Sequence, residues 1–181
     1  MIGLKRGVVK LASHDKEWAL EFEKERTRLQ ENLGDRVIDI QHIGSTAVPK
    51  LCAKPIIDIS IGIRRLKDAN KLTRIMNLLG YRFHKKSAQE IFFAKGPDAR
   101  RTHYVHVMRY KGAKWMTDML FRDYLLTHVR HTIQYGHLKE KLAKKYPTDK
   151  ESYTGGKNSF IKMTLQLATN HAARASSSAR H

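Results

Sequence analysis

Two stretches, His42-Ile43-Gly44-Ser45-Thr46 and Lys54-Pro55-Ile56-Ile57-Asp58-Ile59-Ser60-Ile61, carry the residue types that phosphate chemistry uses. A Gly-Ser bend at the end of an apolar strand lets a phosphate reach backbone amides. An acid on the next strand can hold a divalent cation against that phosphate. Nucleotidyl transfer needs such a set: a cradle for the triphosphate, a metal at the α-phosphate, and positive groups for the departing pyrophosphate. His42, Gly44, Ser45 and Thr46 are the expected phosphate contacts, Lys54 a further one, and Asp58 the catalytic acid and metal ligand. A lone carboxylate on an apolar strand is costly to bury without a partner. The plainer alternative for Asp58 is therefore a lysine or arginine partner, or a turn cap.

Two-metal chemistry normally uses two acids two positions apart on one strand, so that both face the same way. Here the second position is Ser60, a weak uncharged ligand. Glu90 is the expected further metal ligand, and His106 the second catalytic residue. Thr102, Tyr104 and His106 share one face of their strand, and His103, Val105 and Val107 the other, so His103 and His106 do not act together. Either histidine also reads as a satisfied structural residue.

The elements that must position these residues follow from periodicity. Residues 14–33 read as an amphipathic helix, with Trp18, Phe22, Leu29 and Leu33 at helical spacing, Ser13 or Asp15 at its start and Gly34 at its end. Strands are expected over 37–43, 56–63, 81–84, 90–95 and 102–108, with a helix over 66–79 between the second and third. Three further helices are expected over 116–127, 130–146 and 158–173, the last two separated by Gly155-Gly156. Strands first and helices last give an α/β (α+β) domain with a mixed sheet flanked by helices. One domain over 1–173 and a small, polar, disordered tail over 174–181 complete the organisation. Trp18, Phe22, Phe83, Phe92, Trp115 and Phe121 read as core.

The chain has 181 residues, 41% apolar and 29% charged, as in a water-soluble globular protein. No apolar run approaches a membrane span, and the first residues lack a signal-peptide core. The single cysteine, Cys52, precludes an internal disulfide and fits a cytoplasmic protein, where it reads as a filler beside the bend. A formal charge of +18 attracts polyanions: nucleotides, other phosphorylated small molecules, or nucleic acid. The basic residues are scattered as singles and pairs, with no basic arm or nucleic-acid motif.

The chain resembles the GrpB family of small bacterial proteins. The matching stretches are 42–49, 53–59 and 102–107, then Phe121-Arg122-Asp123-Tyr124-Leu125, Tyr135, Leu138-Lys139 and Leu142-Ala143, and finally Tyr153, Lys157, Phe160 and Ile161. They run from about Val8 to Leu167. That family is similar to the nucleotidyltransferase superfamily, and a version of it is fused to some dephospho-CoA kinases. The resemblance implies a nucleotidyltransferase-like fold with its site around residues 42–60. It implies Mg- or Mn-dependent transfer from a nucleoside triphosphate, or a non-catalytic module that keeps the anion pocket and aids folding or assembly of a nucleotide or coenzyme A enzyme. Family members commonly lack a second acid at the Ser60 position, and more often have glycine where this chain has Lys50. Lys50 could stiffen the loop or add a phosphate contact. Arg122, Lys139 and Lys157 fall in matched motifs on expected helices. They read as a positive wall facing the site, Arg122 and Lys157 as phosphate contacts, or else as solvated or salt-bridged helix residues.

Overall fold

Strands β1 (Asp39–Ile43), β2 (Ile57–Ile63), β3 (Tyr81–Lys86), β4 (Glu90–Lys95) and β5 (His103–Arg109) form one sheet in the order β1-β2-β5-β4-β3. β2 and β5 pair in parallel, and the other neighbours are antiparallel. The computed structural model describes residues 1–178. β2 is covered on both faces, which is why it reads as a nearly continuous apolar run. Ile57, Ile59, Ile61 and Ile63 alternate into the main core. Asp58, Ser60 and Gly62 therefore face the other way.

Helices α1 (Glu17–Leu33) and α2 (Asn70–Leu78) cover the isoleucine face. α1 buries Trp18, Phe22, Leu29 and Leu33 there, and α2 buries Leu72 and Met76. Asp15 Oδ1 accepts the Glu17 amide at 3.0 Å and so caps the start of α1. Glu25, buried on α1, accepts from the Tyr81 hydroxyl at 3.0 Å and from Lys95 Nζ at 2.6 Å. These bonds satisfy a charge that would otherwise be costly to bury, and they pin α1 to β3 and β4.

Helices α3 (Ala113–Thr127), α4 (Val129–Lys145), α5 (Lys150–Gly155) and α6 (Asn158–Ser178) lie against the opposite face. A second cluster of Val48, Leu51, Leu125 and Tyr135, with Phe121, Leu138 and Phe160 against it, ties them to the linker between β1 and β2. At Gly62 a Cβ would stand 2.9 Å from the Trp115 ring, so glycine is what lets α3 approach β2.

Several elements depart from the sequence expectation. Residues 14–16 precede α1, and 66–69 form a 3-10 turn ahead of α2. α5 was not expected at all. α6 continues to Ser178, past the tail boundary drawn at 173, because its alanines extend a helix at little cost. The remainder of the expected tail, 179–181, lies outside the described residues. Phe83, expected in the core, is half-exposed: it lies edge-on to core Phe93 on the face it shares with buried Tyr81, but at the edge strand of the sheet. Phe92 and Phe121 are only partly buried, and both line the cavity described below. No helix among the described residues is long and apolar enough to cross a membrane.

Candidate functional site

The bend after β1 and the carboxylate on β2 meet directly. Antiparallel pairing sets Ile43 opposite Asp58, so the next residue, Gly44, passes over the acid. Gly44 has φ 68° and ψ −166°, a conformation kept almost entirely to glycine. A Cβ there would lie 2.7 Å from Asp58 Oδ2. Ser45 opens the 3-10 turn Ser45–Ala47, and the Tyr135 hydroxyl of α4 reaches it.

Beside this contact lies a cavity of about 620 Å³ between the sheet and the C-terminal helices. Gly44, Ser45, Lys54, Asp58, His106 and Lys157 all line it, so six of the expected site residues come together. Lys139 of α4 and Lys150 of α5 join them, with the rings of Phe92, Tyr104, Tyr135 and Tyr153. A second hollow of about 600 Å³, between the 48–52 loop and α3–α4, is lined mainly by apolar residues. It has no comparable concentration of lysines.

Asp58 makes no direct ion pair among the described residues. Burial pushes its carboxyl above the usual range. The electrostatic influence of the neighbouring His106, Lys54, Lys157 and Lys150 opposes that push. The lysines are perturbed the other way. Burial brings Lys139 down to about 7 and Lys157 down to about 8, and it also lowers Lys54 and Lys150. Lys139 Nζ donates to the Cys52 carbonyl and lies 5.3 Å from the Tyr135 ring centre. Lys54 and Lys157 both stand over Tyr153, at 5.4 and 4.6 Å. Lys150 stands over Tyr104 at 5.4 Å. Aromatic faces thus hold ammonium groups in a wall where lysines outnumber carboxylates. The charge of Asp58 offsets part of the mutual repulsion of Lys54, Lys150 and Lys157, and an anion entering the cavity would relieve more of it.

Three expected phosphate contacts lie elsewhere. Strand alternation turns His42 away from the cavity, onto Phe22 of α1 with ring centres 4.6 Å apart. His42 Nε2 shares a 2.9 Å hydrogen bond with Thr46 Oγ1, and Thr46 is buried. Burial, with the nearby Arg122 charge, brings His42 down to about 4. Arg122 Nη1 donates to Gln41 Oε1 at 2.8 Å and to the His42 carbonyl at 2.9 Å. These three residues hold the end of β1 and the bend in place rather than facing a ligand. Lys50 has φ 65°, the left-handed conformation that suits glycine, and lines the second hollow instead of the cavity. Burial pushes the Cys52 thiol up, in keeping with a filler.

Glu90 also differs from its expected place. It stands behind His106, whose Nδ1 lies 2.8 Å from Glu90 Oε2, and does not line the cavity. That hydrogen bond holds the Glu90 carboxyl below its usual range. Among the described residues no three His, Cys, Asp or Glu side chains gather as a group able to hold a metal ion. Two carboxylates line the cavity, Asp58 and Asp118, and Asp118 is paired with Lys114 at 2.5 Å. His103 faces the main core on the far side of the sheet, as alternation requires.

Lys150 escaped the sequence reading because α5 did, and Tyr153 was read only as a matched family residue without a place in the site. The signal for α5 was present: Asp149 Oδ1 accepts the Ser152 amide at 3.0 Å, an N-cap three residues before its partner.

The family described as GrpB protein matches residues 8–167. The chain belongs to the GrpB family. The Glutamate-rich protein GrpB of Alkalihalophilus pseudofirmus is 39% identical over 168 residues, covering 89% of this chain and 96% of that one. A dephospho-CoA kinase of Mycolicibacterium paratuberculosis is 34% identical over 100 residues, covering 54% of this chain and 24% of that protein. The crystal structure of conserved protein GrpB from Enterococcus faecalis superposes with a TM-score of 0.83 at 29% identity, over 90% of this chain and 99% of that one. Cid1 in complex with the UTP analogue UMPNPP gives a TM-score of 0.52 at 11% identity, over 80% of this chain and 48% of that one. This last likeness concerns the fold alone: this GrpB-family chain has a nucleotidyltransferase-like mixed sheet.

Proposed function

We propose that the cavity binds a phosphorylated small molecule of the nucleoside phosphate class, with lysine ammoniums doing the charge neutralisation that a metal does elsewhere. The observation that carries this reading is the convergence of Lys54, Lys139, Lys150 and Lys157 on one cavity with the Gly44–Ser45 bend. Backbone amides at the bend suit phosphate oxygens. The rings of Phe92 and Tyr104, 5.2 Å apart, offer a planar base an aromatic wall. The UTP analogue held by Cid1 belongs to the same ligand class.

Calorimetric titration with ATP and with pyrophosphate, in Mg and again in excess EDTA, tests it. Binding is expected in both conditions. Lys157→Met is expected to weaken it by roughly 10-fold or more, the scale of one charge-assisted contact. The strand position of Asp58, beside the bend in a nucleotidyltransferase-like fold, favours a second reading: metal-dependent nucleotidyl transfer. Binding only with Mg or Mn, with pyrophosphate release that Asp58→Ala abolishes, would establish that reading over the first. Salt-sensitive affinity for oligonucleotides that ignores Lys157 would instead point to the basic surface as a nucleic-acid binder.

A further inference from the structure

Holding an anion requires positive charge, and it does not require an imidazole fixed by a carboxylate. His106 is fixed in that way. Its Nδ1 shares a 2.8 Å hydrogen bond with Glu90 Oε2, which assigns the Nδ1 proton to that bond and leaves Nε2 as the second ring nitrogen. The ring lines the cavity and Glu90 stands behind it. In the parallel β2–β5 pair, His106 stands opposite Ser60 and Tyr104 opposite Asp58, so His106 is one pleat along from the acid. Phe92 packs on the ring at 4.9 Å between centres, which further limits its rotation. An oriented base thus stands in the wall of a cavity already shaped for phosphate.

Resting on the anion-binding reading above, we infer that His106, positioned by Glu90, is a general base that activates water against a phosphoanhydride held by the lysines. His106 takes one proton from a water molecule. The water oxygen bonds to phosphorus, and the bond from phosphorus to the departing phosphate breaks with its electron pair on that oxygen. Lys54, Lys150 and Lys157 offset the charge that leaves, and the imidazolium passes its proton to the departing phosphate or to solvent. Water is the co-reactant. Asp58, when ionised, favours the imidazolium as it forms.

The test uses the full chain and ATP as probe, following phosphate and pyrophosphate release in excess EDTA, with pyrophosphate binding measured in parallel. Turnover is expected in the wild type. His106→Asn should lower kcat roughly 100-fold or more, the usual worth of a general base. Glu90→Gln should lower kcat by about 10-fold or more with KM unchanged, because it misorients the base without touching the ligand. Retained pyrophosphate binding by both variants would show that they fold. Pyrophosphate binding without ATP turnover overturns this inference and leaves the anion reading standing. Absence of both overturns the two together. Turnover that survives His106→Asn also overturns it.

Discussion

At the scale of single residues, the decisive contact is between Gly44 and Asp58. The backbone there is both left-handed and pressed against a carboxylate, so two separate penalties meet at one Cβ. Gly44→Ala is expected to cost about 2 kcal/mol or more of stability, from the strained φ and the clash with Oδ2. Chemical denaturation checks the stability, and pyrophosphate titration should show weakened binding because the bend must shift. The Gly-Ser-to-Asp spacing was legible in the sequence because residue type alone marks it: a bend needs glycine, and an acid on an apolar strand is conspicuous. His42, Thr46 and Arg122 were grouped with the bend by their chemistry, but where each side chain goes depends on strand alternation for His42, the 3-10 turn for Thr46 and the tertiary placement of α3 for Arg122. The His42 ring goes to Phe22, and Arg122 goes to the end of β1.

At the scale of elements, strand positions were largely readable, and β4 begins and ends where alternation placed it, at Glu90 and Lys95. The order of the strands was not. β2 and β5 are neighbours although two strands and a helix intervene in sequence, a pairing that local pattern does not encode. α5 was missed because six residues with a single large ring, Tyr153, carry no hydrophobic period, and its stability rests instead on the Asp149 cap and on burial of that ring. It nonetheless brings Lys150 and Tyr153 to the cavity. Asp149→Ala should loosen this helix by about 1 kcal/mol. Hydrogen exchange should quicken over residues 150–157 while the strands keep their protection, and pyrophosphate affinity should fall.

At the scale of the whole molecule, a net charge of +18 and a buried set of lysines work in the same direction. Lys139, brought down to about 7, and Lys157, brought down to about 8, lose protons in the folded chain well before the ordinary 10.5 of the unfolded one. Between those limits the unfolded chain holds more protons, so stability should rise as pH increases from about 7 towards 10, by on the order of a few kcal/mol. Denaturant midpoints across that range check it, and Lys139→Met should flatten the rise. Pyrophosphate affinity should move oppositely, falling as the ammoniums neutralise. The cavity also draws on residues far apart in sequence, Gly44 and Ser45 from the turn after β1, Lys150 from α5 and Lys157 from the turn between α5 and α6. If a phosphorylated metabolite fills this cavity as proposed, it would steady only copies in which α5 and α6 have packed against the sheet, and would ignore a chain cut short before residue 150.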